Sequence, residues 1–141
     1  MKKIIATLTV IIMLLSCNNA NEKKASQNLV SKANFEIIGK KAVLLFPEIK
    51  AEVYYKSDSI LHWKTTDKKG IVAEGDEKMD YKQLSENLHF LNWIEQDGWT
   101  VSQIIDSKNG TVKAFWSFQD ETSPRGKRRS LFVNGKFEFV K

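Results

Sequence analysis

Cysteine is almost absent: Cys17 is the only one in 141 residues, so no disulfide can form within the chain. Proline is confined to Pro47 and Pro124, and the only histidines are His62 and His89. With no second cysteine, a zinc site would need carboxylates at spacings the sequence does not display. Helical periodicity is nearly missing. The one long apolar run, Ile4 to Leu15, is interrupted by Thr7 and Thr9 and is too short to span a bilayer. No Gly-rich phosphate loop, nucleophile elbow or paired-histidine motif occurs, so no enzyme can be argued from motifs, and neither cofactor nor metal is expected.

What surrounds that apolar run sets an address. Lys2 and Lys3 precede it and Leu14-Leu15-Ser16-Cys17 closes it, the order of parts in an export leader. The closing tetrapeptide resembles the bacterial lipobox, whose cysteine is diacylated, becomes residue one and is then N-acylated. An exported unpaired thiol is a liability, whereas several acyl chains on one residue give stable anchoring. The alternative is an ordinary secretory signal with a chance cysteine. The resemblance implies a signal peptide at 1–16, a lipidated Cys17, and a bacterial envelope protein held by lipid at the outer membrane and facing the periplasm. Residues 17–34 are polar and rich in Asn, Lys and Ser, the composition of a flexible tether. A single domain, 35–141, follows.

Net charge falls from +5 to +3 once Lys2 and Lys3 leave with the leader. So small an excess argues against a nucleic-acid partner. In the domain, aromatic and β-branched residues alternate in short runs at 42–46, 51–56, 59–65, 71–78, 88–95, 99–106, 111–118, 129–133 and 136–140. Asp97-Gly98, Asn109-Gly110 and Asn134-Gly135 separate successive runs and suit tight hairpin turns. Several runs are apolar on both faces, as in Leu88 to Ile94. The fold expected is all-β, a small antiparallel meander β-barrel of about eight to nine strands, its outer apolar face covered by the tether, a short helix or a partner. A flattened β-sandwich is the alternative. Asp80 to Glu86 is the best candidate for a helical turn.

Trp63, the segment Gly70-Ile-Val-Ala, Leu88-His-Phe-Leu-Asn-Trp-Ile-Glu95, Gly98-Trp-Thr-Val, Asp106 and Asn109-Gly-Thr-Val112 follow in an order that resembles the MoaF-like domain of the lipocalin-like calycin superfamily. More distantly, the same residues are similar to bacterial phenolic acid decarboxylases. That similarity places Glu95 at the position of a cavity carboxylate. The decarboxylases' paired tyrosines and their arginine have no counterpart here: Ala42 to Phe46 and Ile71 to Gly75 stand in those places. A carboxylate substrate loses its cationic partner, and phenolic acid decarboxylation is not expected.

Glu95 shares strand parity with Trp93, Leu91 and His89, which makes these four the candidate ligand-binding residues of a barrel interior. Alternatively, Glu95 is solvated at the strand's end beside Gln96 and Asp97. Tyr54, Tyr55, Trp63, Trp99 and Trp116 are read as packing residues. In the run Ser123 to Ser130, Arg125, Lys127, Arg128 and Arg129 form either a solvated turn or a contact for anionic headgroups. The leading expectation is a lipid-anchored protein that binds a small, partly apolar ligand inside its barrel. The alternatives are an envelope interaction or inhibitor module acting through loops, and a diverged decarboxylase-like enzyme.

Overall fold

The computed structural model describes residues 36–141, so the leader, Cys17 and the tether lie outside the described residues. Eight strands follow one another: β1 (Lys41–Leu45), β2 (Ile49–Tyr54), β3 (Ile60–Asp67), β4 (Val72–Gln83), β5 (Leu88–Ile94), β6 (Thr100–Asp106), β7 (Thr111–Gln119) and β8 (Arg128–Phe139). Each pairs antiparallel with the next, and β8 returns to β1 to close a barrel. Period-2 alternation puts His89, Leu91 and Trp93 of β5 inside with Val101, Gln103 and Ile105 of β6 and Val112 and Ala114 of β7.

Two strands divide their length between their neighbours, pairing with one and then the other. Val72–Lys78 of β4 pairs with β3, whereas Met79–Gln83 pairs with β5. Arg128–Lys136 of β8 pairs with β7, and Lys136–Phe139 with β1. Pairing runs right round only one end of the barrel. At the other, β1–β4 and β5–β8 stand as two four-stranded lobes separated by seams at β4/β5 and β8/β1. The closed end is packed solid by Ile37, Leu44, Tyr55, Leu61, Leu91, Ile105, His89 and Val112, all fully buried. Ile37, which precedes β1, is fastened there by a turn in which Lys40 N–H donates to the Ile37 carbonyl and Gly39 N–H to that of Tyr55.

Two expectations differ from the structure. Asn134-Gly135 is not a turn but the middle of β8, so two expected runs are one strand. Gly135 is needed there for room, since a Cβ would lie 2.7 Å from the Leu45 carbonyl oxygen and 2.8 Å from Phe46 Cδ1. Asp97-Gly98 and Asn109-Gly110 do turn, with glycine φ of 87° and 66°. Asp80 to Glu86 forms no helix: Asp80 to Gln83 continues β4 opposite His89 to Asn92, and the chain then turns with Leu84 N–H on the Leu88 carbonyl. The described residues leave the apolar outer face of β5–β8 exposed, with Ile94 and Phe132 each 65% exposed and Ile104 and Phe115 also exposed; the tether expected over it lies outside them.

Gly135→Ala should therefore destabilise the protein by about 1–3 kcal/mol, the usual cost of forcing a methyl group into filled space. Urea unfolding midpoints check this. An unchanged midpoint would mean that β8 and the Leu45–Phe46 backbone are not in contact.

Candidate functional site

The space between the lobes at the open end is a cavity of about 380 Å³. Phe46, Ile49, Ala51, Val53, Trp63, Thr65 and Ala73 line it from the β1–β4 side, and Trp93, Glu95, Asp97, Trp99, Val101, Gln103 and Trp116 from the β5–β8 side. All four tryptophans of the chain are in that lining. Small residues opposite large ones make the room: Trp63 faces Gly75 across β3–β4, and a Cβ on Gly75 would meet its ring at 3.3 Å. Phe46 meets Trp116 edge-on at 5.2 Å, and Trp99 stacks on Phe118 at 4.4 Å.

Polar groups are few. Trp93 Nε1–H donates to Glu95 Oε1 at 3.2 Å, holding the half-buried carboxylate against the indole. Burial raises the pKa of Glu95 above the ordinary 4.5, and the charges of Asp97 and Glu77 add to the rise, while the Trp93 hydrogen bond opposes it. Asp97, at the rim, accepts from the Trp99 N–H. Among the described residues three buried side-chain polar atoms have no hydrogen-bond partner: the Trp63 indole nitrogen, the side-chain oxygen of Gln103, a residue only 5% exposed, and the Tyr55 hydroxyl in the filled end. Such orphans are rare in native interiors, and two of the three, on Trp63 and Gln103, belong to residues of the cavity wall.

The four expected ligand-binding residues separate. Trp93 and Glu95 line the cavity, whereas Leu91 and His89 are buried below it. His89 is held in a polar network of the floor, Nδ1 against Tyr81 Oη at 3.0 Å and Nε2 against Ser107 Oγ at 3.2 Å. Trp63, Trp99 and Trp116, read from the sequence as packing, stand beside Trp93 in the wall. Strand direction was the available signal: alternating up and down from Trp93 brings all four tryptophans towards the same end.

The basic run sits in the β7–β8 connection, at the cavity's end of the barrel. Arg128 does not project freely. Its guanidinium donates to Ser117 Oγ, the Ser117 carbonyl, the Gly98 carbonyl and Thr100 Oγ1, at 2.8 to 3.2 Å. Thr100 and Ser117 pair in register next to the inward Val101 and Trp116, so this clamp grips the outside of the wall. Lys127 pairs with Glu121 at 2.7 Å and Arg129 approaches Asp120 at 3.9 Å. Among the described residues no group of three His, Cys, Asp or Glu side chains could hold a metal ion.

Fold and site together define a small antiparallel barrel, filled at one end and hollow and tryptophan-lined at the other. The chain belongs to the MoaF-like family, whose model matches residues 38–128. A crystal structure from Burkholderia vietnamiensis described as a "putative beta-lactamase" is similar in fold, with 20% sequence identity, a TM-score of 0.62, and coverage of 74% of this chain and 95% of that one. No curated protein matches.

The raised pKa of Glu95 has a stability consequence. Ionising the carboxyl costs more in the folded chain than in the unfolded one, so its stability contribution is whole below pH 4.5 and is lost as pH rises through the higher folded value. Glu95→Gln, which keeps an acceptor for Trp93, should match wild type near pH 4 and exceed it near pH 7 by no more than about 1 kcal/mol, because the group is only half-buried. Denaturation midpoints across that range check it. A variant weaker than wild type at neutral pH would contradict the assignment.

Proposed function

We propose that this protein is a bacterial lipoprotein of the cell envelope, anchored through Cys17, whose calycin-like barrel binds a small, partly apolar molecule in the cavity between its lobes. The observation that carries the reading is the concentration of all four tryptophans, with two unpartnered polar atoms, around one open space of about 380 Å³. A wall of that kind is costly to leave wet and empty, and its volume falls within the range of small-molecule sites. Trp93 and Glu95 serve as wall and polar handle, with Leu91 and His89 as the floor beneath. The outer membrane, on its periplasmic side, is the place we assign. At the cavity's end, Arg125, Lys127 and Arg129 can meet anionic headgroups, against the opposing charge of Glu121 and Asp120.

Because every tryptophan lines the cavity, intrinsic fluorescence reports on it directly. Native mass spectrometry of the protein purified from its own host should reveal a co-purifying small molecule whose removal changes the emission. A ligand that binds without altering the emission would place binding elsewhere.

The anchor is tested separately. Cys17→Ser should abolish labelling by a fatty-acid analogue and leave the leader wrongly processed. Equal labelling of mutant and wild type would refute lipidation at this residue.

A further inference from the structure

The charge of the cavity has one sign. Glu95 and Asp97 are the ionisable residues of the lining, which contains no lysine, arginine or histidine. Glu77 adds a third negative charge to the surroundings of Glu95. Of the cations in the β7–β8 connection at this end, Arg128 is held on the outside of the wall by Thr100 and Ser117, and Lys127 and Arg129 face Glu121 and Asp120. Inside, four indoles offer π-systems that attract positive charge at their faces. The carboxylates stand at the mouth, where the β5–β6 turn begins.

The deep end asks for something different. Gln103 pairs in register with Leu91, four residues below Glu95 on β5, so it lies about 13 Å further into the barrel at strand rise. Its buried oxygen lacks a donor. A molecule that satisfies both ends carries positive charge at one end, an apolar middle against the indoles, and an N–H or O–H donor at the other.

We propose that the cavity selects small organic ammonium ions, seated with the charged nitrogen against Glu95 and Asp97 at the mouth and with a hydroxyl or amide at the far end donating to Gln103 Oε1. This rests on the ligand-binding reading above and names the class of ligand. Neutral molecules of the same shape forgo the carboxylates and the cation–π attraction. Anions meet repulsion from Glu95, Asp97 and Glu77.

The test uses the full-length protein and probes of matched shape. Calorimetric titration compares 4-(aminomethyl)cyclohexanol, a cation at neutral pH, with 4-(hydroxymethyl)cyclohexanol and 4-hydroxycyclohexanecarboxylate. The cation should bind at least tenfold tighter than the neutral diol, and the carboxylate weakest. Cyclohexylmethylammonium, which lacks the far hydroxyl, should bind at least threefold weaker than the aminoalcohol. Asp97→Asn and Glu95→Gln should each lower the ratio of cation to diol affinity at least threefold, and an unchanged ratio in both variants overturns the charge selection. If the diol or the carboxylate binds as tightly as the cation, the charge selection is overturned while binding in the cavity stands. Binding of none of the probes, together with the absence of any co-purifying molecule, overturns both. Equal affinity with and without the hydroxyl overturns the assignment of Gln103.

Discussion

Two strands change partner midway, and the open end of the barrel depends on that change. A twelve-residue β4 cannot follow β5 along its whole length because β5 ends at Ile94, and β8 cannot follow β1 beyond Leu45. Pairing is therefore continuous around only one end. That end contracts into a filled core, while at the other each lobe keeps its internal ladders and loses the bonds to its neighbour. The cavity follows from strand lengths before any lining residue is considered. Gly135 marks how close the arrangement comes at one seam, where β8 passes so near the Leu45–Phe46 backbone that a methyl group has no room.

The two halves of the interior solve different problems. Below, Leu, Ile and Val fill the space around Tyr55, whose buried hydroxyl has no partner, and the polar side chain of His89 is bonded at both ring nitrogens. Above, large indoles leave gaps, and Gln103 and Trp63 keep buried atoms without partners. Burying an unpaired polar group lowers stability, and of the three such groups the two in the upper half belong to residues that line open space. The same contrast separates the two pairs within one strand: His89 and Leu91 serve the core, Trp93 and Glu95 the cavity, although all four point inward.

Much of the fold was legible because alternation and turn chemistry are local. Inward parity on β5 and the Asp97-Gly98 and Asn109-Gly110 turns follow from neighbours in sequence. Asn134-Gly135 carries the same dipeptide signal with the opposite outcome, because what decides it is backbone about ninety residues away in the chain. Asp80 to Glu86 misled for a related reason, since its first half is held extended by pairing with β5. The site was half legible. Glu95 and Trp93 could be read from one strand, but that Trp63, Trp99 and Trp116 share their cavity depends on strand direction and barrel closure together. The partners of Arg128 are likewise non-local, and a basic, Pro- and Gly-bearing run gave no sign that one of its cations grips the neighbouring turn.

The seams carry a mechanical implication. Along β4/β5 and β8/β1 at the open end there is no ladder to rupture, and the hydrogen-bonded floor joins the lobes as the spring of a clothes-peg joins its jaws. Prising the jaws apart by an ångström or two loosens side-chain packing such as that of Phe46 on Trp116 but breaks no rung of either four-stranded sheet. The gap can thus widen or narrow while the lower half keeps its shape.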